Sequence, residues 1–308
     1  MDIKFIFVLK DSNKMRIENQ INIPDDSLLC SLKAFIDFQK KFIETENKET
    51  ITSVDFLSPT FISPLFAVLT KVFLSKKNIT LSGLSSYMDC IKFDNTLFTD
   101  GKDNLEEKMN EYLLKTFFPL VSFPADKISI QEKGSITKAI ENLISANTSI
   151  PQNIISGLKY MVAEISDNIL EHASATKGFI YAQAYQKKKF IDICIGDNGI
   201  GLREAYRKAG HLFENDVKAM HAANDRISAK NLPDAVNRGY GLYTSKRILS
   251  KGLDGEYMMI SGNCAYHLTN KEEKYYVLKE HLYTTGTTVL LRIPYKPNDK
   301  FILSNFYE

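Results

Sequence analysis

The sequence predicts a protein of two domains, each of which combines α-helices with β-strands. The chain has 308 residues, which is longer than a typical single domain. Strand and helix patterns alternate along the first third, as they do in small α/β layer domains. A charged stretch without clear periodicity, residues 100–111, ends this pattern. We therefore predict an α/β domain at 1–115, a second domain at 116–297 and a short tail at 298–308.

Local patterns predict the elements of the N-terminal domain. Apolar runs rich in Ile, Phe and Val indicate strands, and apolar residues at intervals of three and four indicate helices. Asp25, Asp26 and Ser27 supply an N-cap for the first helix, and Pro64 suits the first turn of the second. In chain order, the predicted elements are strands at 4–9 and 16–23, a helix at 28–43, a strand at 51–58, a helix at 63–77 and a strand at 78–83.

The second domain contains one long helix pattern, at residues 151–173. Its apolar side chains fall on one arc of the helical wheel, about 100° wide. These residues are Ile154, Ile155, Leu158, Met161, Val162, Ile165 and Ile169. The other predicted elements are a helix at 135–147, strands at 178–186, 190–195, 255–262 and 286–294, a polar helix-prone segment at 202–238, and a helix that begins behind the glycines at 239 and 241.

Composition narrows the class of protein. The formal net charge is +2 and no basic stripe is present, so we expect no nucleic-acid partner. The four cysteines are widely spaced and predict neither a disulfide framework nor a metal site. The longest apolar stretch, residues 56–74, contains two prolines and Lys71, and so predicts core rather than a membrane span. The N-terminus lacks the pattern of a signal peptide, and we expect a cytoplasmic protein without membrane contact.

The long helix carries the first group of residues that could do chemistry. Glu164, Asn168 and His172 are spaced four apart and form one stripe. Glu164 and Asn168 lie at the margin of the apolar arc, where a carboxylate and an amide one turn apart could position a water and a divalent cation. An ordinary amphipathic helix with polar boundary residues is the alternative, and this helix alone does not decide. His172 falls inside the arc and is expected to be a packed, structural residue.

A second group follows the predicted strand at 190–195. Asp197 is followed by Gly199 and Gly201, a composition that would also suit a hairpin turn. The next residues are helix-like rather than a second strand, which disfavours the hairpin. The order of the glycines also fails the dinucleotide-binding fingerprint. The remaining interpretation is that Asp197 is fixed at the end of a strand, and that the glycines beside it let a flat group approach the backbone.

A third group precedes the helix that begins near residue 240. Arg238, Gly239 and Gly241 come just before its first turn, where backbone N–H groups are unpaired. Free N–H groups, the helix dipole and a cationic side chain together favour an anion. The alternative is a plain helix start. Gly286 and Thr287, which begin the last strand, carry no information alone.

Together these motifs resemble a known superfamily. They occur in the order Glu164-x-x-x-Asn168, Asp197-x-Gly199-x-Gly201, Gly239-x-Gly241-Leu242 and Gly286-Thr287. This order resembles the N box, the two glycine boxes and the closing Gly-Thr of the GHKL ATPases, the group of gyrase, the large heat-shock chaperones, histidine kinases and the mismatch-repair ATPase. Residues 117–296 carry the resemblance, and the lead-in to the long helix is similar to the anti-sigma-factor kinase branch.

The resemblance implies a Bergerat fold, an α/β sandwich in which a mixed sheet has helices on one face, with ATP and Mg²⁺ as cofactors. It implies a role for each matching residue. Glu164 would orient or deprotonate the attacking water, and Asn168 would bind Mg²⁺. Asp197 would accept a hydrogen bond from the adenine amino group, supported by Thr287 through water, and Gly199 and Gly201 would let base and ribose lie close to the chain. The phosphates would be held by Arg238, Gly239, Gly241 and Leu242, and residues 203–238 would form a mobile lid.

The N-terminal domain has a fainter resemblance, to the STAS domains of anti-sigma-factor antagonists. Residues 61–69 match the family's stretch around its phosphorylated serine. However, Ser63 stands where the family has Asp, and Pro64 where it has the phosphorylated Ser. We therefore expect an interaction or dimerisation domain, with Ser63 as a weak phosphoacceptor.

These observations leave several functions open. We expect a Mg-ATP-binding regulatory protein in which ATP orders the lid and switches a protein partner, with a homodimer possible. The alternative is a serine/threonine kinase of the anti-sigma-factor type. A histidine kinase fragment is disfavoured because no histidine lies in a dimerisation-helix motif. Binding of ATP without hydrolysis is a further alternative, and the presence of Glu164 argues against it.

Overall fold

The computed structural model describes the chain in segments. The described residues are 2–7, 17–22, 27–44, 50–52, 58–60, 62–65, 67, 80–81, 90–91, 97–98, 111–112, 115–124, 130–225, 243, 246–278 and 284–296. No helix within these segments is long and apolar enough to cross a membrane.

The first four strands form a small sheet. They are β1 (Asp2–Phe7), β2 (Ile17–Asn22), β3 (Thr50–Thr52) and β4 (Thr80–Leu81), in the spatial order β2-β1-β3-β4. β1 pairs antiparallel with β2 and β3, and β3 pairs parallel with β4. Each lies within or overlaps a predicted strand. Helix α1 (Leu28–Glu44) begins as predicted, because the Ser27 hydroxyl accepts a hydrogen bond from the Cys30 N–H at 3.1 Å.

The remaining eight strands form one large mixed sheet. They are β5 (Leu97–Phe98), β6 (Phe117–Pro124), β7 (Lys177–Tyr185), β8 (Phe190–Asp197), β9 (Glu256–Gly262), β10 (Cys264–Leu268), β11 (Glu273–Val277) and β12 (Thr284–Pro294), in the order β11-β10-β9-β12-β8-β7-β6-β5. All neighbours are antiparallel except β5 and β6. The sequence patterns missed four of these strands: β5, which is two residues long, β6, and the pair β10 and β11, which follow β9 after short turns.

The described helices of this part are α2 (Ile130–Asn147), α3 (Gln152–His172), α4 (Gly201–Lys208), α5 (Asp216–Asn224) and a π-helical turn at Ile248–Gly252. The apolar arc predicted on α3 is buried along its whole length. It packs, together with α2, on one face of the large sheet. The mixed sheet and its covering helices confirm the predicted fold class.

The second face of the sheet is also covered. Side chains alternate along β8, so that Ile193 and Ile195 contact the α3 side while Cys194 points to the opposite side. There Cys194 lies in a cluster with Leu28 and Leu32 of α1. Burial on both faces explains why the central strands are apolar without interruption. The N-terminal part therefore packs on the back of the large sheet, and the division at residue 115 stays a prediction.

Ser63 lies in this buried interface. Its side chain has no exposure to solvent, and its hydroxyl lies beside the Cys194 thiol. Burial raises the pKa of that thiol, and the neighbouring hydroxyl opposes part of the effect. A kinase could not reach Ser63 in this conformation, so the structure offers no support for Ser63 as a phosphoacceptor.

The contact of α1 with the sheet predicts a large effect of one substitution. Leu32→Ala should lower the free energy of unfolding by about 2–5 kcal/mol, since it removes a buried side chain from the back-face cluster. Urea unfolding of the full chain measures the change. Lys33→Ala, at the exposed neighbouring position, is the matched control and should change stability little. Equal stability of the two variants would contradict the packing of α1.

Candidate functional site

Asp197, the last residue of β8, is the centre of the site. It is 2 % exposed, and both oxygens of its carboxyl group accept hydrogen bonds from the backbone. The Gly199 N–H donates to Oδ1 at 2.7 Å, and the Thr287 N–H donates to Oδ2 at 3.2 Å. The second bond crosses from β8 to β12. The two donors hold the carboxyl group in a single orientation at the end of the sheet's central strand pair.

The environment of Asp197 changes its acidity. Burial raises its pKa to about 7, although the bonds from Gly199 and Thr287 oppose the rise. The free protein therefore exchanges a proton at this group near neutral pH. A buried carboxylate of this kind is suited to accept a hydrogen bond from a ligand N–H, because solvent does not compete for it.

Glycines close around this carboxyl group. Gly286 has a φ of +66°, and a Cβ there would lie 2.1 Å from the carbonyl oxygen of Asp197. A Cβ on Gly199 would lie 2.1 Å from the carbonyl oxygen of Ala173. Both positions thus need glycine for the close approach of the chain to itself. The resemblance implied that Gly199 is a glycine so that a base can approach the chain. The structure gives another reason, which is the contact of Gly199 with the Ala173 carbonyl.

The loop after Asp197 is tied to the end of α3. The side-chain oxygen of Asn198 accepts bonds from the N–H groups of Thr176 and Lys177, at 3.1 and 3.0 Å. The Ile200 N–H donates to the Ala173 carbonyl at 2.9 Å. These bonds fix the Asp197 loop against the residue that ends α3, and so bring two of the predicted motifs together.

Glu164 and Asn168 lie further along α3. At 1.5 Å per residue they are about 14 Å and 8 Å from Ala173 along the helix axis. Glu164 is partly buried and Asn168 is exposed, which agrees with their predicted place at the margin of the apolar arc. Burial raises the pKa of Tyr160, one turn earlier, and the nearby Glu164 carboxylate adds to this rise. An exposed amide and a partly exposed carboxylate one turn apart fit a cation that keeps most of its water. The side chain of His172 lies outside the described residues.

Ser261 of β9 belongs to the site, although the sequence did not indicate it. Its hydroxyl accepts a bond from the Leu202 N–H at 2.9 Å and donates to the Gly286 carbonyl at 3.1 Å. It also lies 3.1 Å from the hydroxyl of Thr287. Ser261 thereby joins the start of α4 to β12, whose Thr287 N–H donates to Asp197. Its only signal in the sequence is a polar residue inside an apolar strand.

The predicted lid is described only in its first part. Residues of α4 and α5 pack on each other around Tyr206, Ala219 and Ala222. Asp216 accepts a bond from the Asn263 N–H at 2.9 Å, which holds α5 against the turn between β9 and β10. Residues 226–238 and the predicted phosphate-binding residues Arg238, Gly239, Gly241 and Leu242 lie outside the described residues. The lid and these contacts stay predictions.

Comparison with known proteins identifies one family. Residues 153–297 match the family model of histidine kinase-, DNA gyrase B- and HSP90-like ATPases. The matched region begins next to the start of α3 and ends after β12, so it contains the helix with Glu164, the Asp197 loop and the Gly286-Thr287 strand. No curated protein matches the chain. The match supports the superfamily inferred from the four motifs, while the STAS-like N-terminus and the anti-sigma-factor branch stay predictions.

The close packing around Asp197 predicts a strong effect of Gly286→Ala. The substitution places a Cβ against the Asp197 carbonyl at a positive φ, and should lower the free energy of unfolding by about 2 kcal/mol or more. Gly134→Ala is the control, because a Cβ at that helical position meets only open space. This substitution should raise the free energy of unfolding by about 0.5–1 kcal/mol. Urea unfolding compares the two. An unchanged stability of Gly286→Ala would contradict the described loop.

The pKa of Asp197 predicts how the stability of the free protein varies with pH. The folded chain binds this proton more tightly than the unfolded chain, in which the ordinary pKa is 3.8. The stabilisation is complete below about pH 4 and is lost as the pH rises to about 7. Wild type should therefore lose stability relative to Asp197→Asn between pH 5 and 7, with a slope of up to about 1.4 kcal/mol per pH unit.

Urea unfolding at several pH values measures this difference. Other titrating groups are present in both proteins and cancel from it. A difference that stays constant between pH 5 and 7 would show that the pKa of Asp197 is not raised.

Proposed function

We propose that the protein binds Mg-ATP and acts as a regulatory switch for a protein partner, because residues 153–297 match the family model of histidine kinase-, DNA gyrase B- and HSP90-like ATPases. The observation that carries the proposal is the buried carboxyl group of Asp197. Both its oxygens are oriented by N–H donors, and the group lies at the end of the strand pair that the family match contains.

Asp197 recognises adenine in this proposal. The exocyclic amino group of the base donates a hydrogen bond to the carboxylate, which the Gly199 and Thr287 N–H groups already hold in place. Little conformational entropy is lost on binding, because the acceptor is fixed before the ligand arrives. The side chain of Thr287, bonded to Ser261, supports the same position.

Residues of α3 and the second glycine motif act at the phosphate end. Mg²⁺, when bound, would neutralise negative charge on the phosphates, and the Asn168 amide oxygen would ligate it. Glu164 orients a water molecule and takes its proton as the water attacks the terminal phosphate. The resemblance implies that Gly239 and Gly241 would present backbone N–H groups to the phosphates, with Arg238 adding positive charge.

The switch itself is proposed to act through residues 203–238. The described part of this segment lies next to the proposed nucleotide site. Helix α4 begins at Gly201, and the Leu202 N–H in its first turn donates to the Ser261 hydroxyl, which lies beside Thr287. Nucleotide binding would thus change the surface that this region offers to a partner. Phosphoryl transfer to a serine or threonine of that partner is the second outcome of the same chemistry, and a homodimer is a further prediction.

Nucleotide binding is expected to stabilise the folded protein. Mg-ATP at about 100 times its dissociation constant should add about 2.7 kcal/mol and raise the melting temperature. Asp197→Asn should abolish this shift, because an amide presents an N–H to the adenine amino group where a carboxylate presents only acceptors. Differential scanning fluorimetry with ATP, GTP and no nucleotide measures it. A normal shift in Asp197→Asn would exclude the adenine contact.

The fate of the γ-phosphate separates the possible activities. Incubation with ATP labelled in that phosphate should release labelled inorganic phosphate if the protein is an ATPase, and should label a protein in a cell lysate if it is a kinase. Glu164→Gln should retain the melting shift and lose either activity by 100-fold or more, the usual contribution of a catalytic base, about 10²–10⁴-fold. Full turnover by this variant would remove Glu164 from the mechanism.

A further inference from the structure

Strand β12 contains a β-bulge at the edge of the candidate site. On β9, Gly262 lies opposite Thr284 and the preceding residue, Ser261, lies opposite Thr287. The two residues of β12 between these pairs therefore have no counterpart on β9. A bulge changes the direction in which the residues beside it point. Here that residue is Thr287, whose N–H donates to Oδ2 of Asp197 at 3.2 Å.

Two buried hydroxyl groups hold the bulge, one at each end. The Ser261 hydroxyl donates to the carbonyl oxygen of Gly286 at 3.1 Å, and the Thr284 hydroxyl donates to that of Gly262 at 2.8 Å. Ser261 is 2 % exposed and Thr284 is 5 % exposed. Side-chain hydrogen bonds thus bridge the two strands where the regular pairing is interrupted. Ser261 fixes the end of the bulge that leads directly into Thr287.

The Ser261 hydroxyl also determines the direction of the Thr287 hydroxyl. It accepts a bond from the Leu202 N–H at 2.9 Å, in the first turn of α4, whose N-cap residue Ile200 has an apolar side chain. A serine hydroxyl has one proton, and the Gly286 carbonyl can only accept it. In the 3.1 Å contact between the two hydroxyl groups, Thr287 is therefore the donor. Ser261 thus fixes both the backbone and the side chain of Thr287.

We propose that Ser261 is a positioning residue for adenine recognition: its hydroxyl holds the β12 bulge in the shape that brings the Thr287 N–H to Asp197. The inference rests on the proposed function. Ser261 acts through Thr287 and not by contact with the base. Without the hydroxyl, the buried Gly286 carbonyl would lose its bond from Ser261, which is unfavourable at a site without water. The bulge would then relax and draw the Thr287 N–H away from the carboxyl group.

The first experiment measures the acidity of Asp197 in the free protein. Burial raises the pKa of Asp197 to about 7, and the Thr287 N–H is one of the two donors that oppose this rise. Loss of that bond in Ser261→Ala should therefore raise the pKa further, to about 8. Carbon-13 NMR of the aspartate carboxyl groups in the full chain measures the titration. The signal that is missing in Asp197→Asn identifies the residue.

Two variants serve as controls for this titration. Ser250→Ala removes another buried hydroxyl, which donates to the Lys246 carbonyl at 2.8 Å, and should leave the pKa of Asp197 unchanged. Ser261→Thr keeps the hydroxyl and should keep the pKa near that of wild type. An unchanged pKa in Ser261→Ala would overturn the proposal. An equal rise in Ser250→Ala would also overturn it, because any buried hydroxyl would then have the same effect.

The second experiment compares two nucleotides that differ only at the 6-position of the base. Ser261→Ala should weaken Mg-ATP binding about fivefold at pH 7, because the ionised fraction of Asp197 falls from about half to about a tenth. Purine riboside triphosphate lacks the 6-amino group that donates to the carboxylate, and its affinity should change by less than about twofold. Isothermal titration calorimetry on the full chain measures both. Equal losses for the two nucleotides would show a general structural role and overturn the proposal.

The two experiments separate this inference from the proposed function. If the wild-type chain binds neither nucleotide, the proposed function fails, and the titration alone judges the role of Ser261. A higher pKa of Asp197 in Ser261→Ala would then still support the positioning of Thr287 by the serine hydroxyl. An unchanged pKa would contradict that positioning whether or not a nucleotide binds.

Discussion

The pairing of β8 with β12 is the constraint on which the rest of the domain depends. At one end of the pair, Asp192 lies opposite Arg292, and the two form a buried ion pair through two bonds of 2.8 and 2.9 Å. At the other end, Gly196 lies opposite Thr288, and this register presents the Thr287 N–H to Asp197. A slip of one residue would turn the isoleucines of β8 from the α3 face to the α1 face and separate both pairs. Core packing and the site therefore select the same register.

The central strand is also where the two parts of the chain meet. Alternate residues of β8 pack under α3 on one face and against α1 on the other. Cys194, on the α1 face, precedes Asp197 by only three residues, and Ser63 lies beside it. The N-terminal part is thus in physical contact with the strand that holds the proposed adenine acceptor.

Much of the fold and of the site could be predicted from local patterns. The long apolar arc of α3 predicted a buried face, because residues three and four apart share one side of a helix. The same geometry placed Glu164 and Asn168 at its margin. The strands around Asp197 were predicted from their apolar runs, and Gly286 from its motif. Short or partly polar strands such as β10 and β11 were missed, because pairing and not composition makes them strands: β10 pairs with β9, and β11 pairs with β10.

The sequence by itself determined the resemblance to the GHKL ATPases and predicted which residues bind a nucleotide, since the order and spacing of the four motifs can be seen without coordinates. Only the tertiary structure decided how those residues are held. The Asp197 carboxyl group acquires its pKa from burial and from an N–H donor 90 residues away. Ser261 is bonded to the Leu202 N–H and to the Gly286 carbonyl, both on other elements. Contacts between distant residues depend on strand register and helix packing, which no local pattern contains.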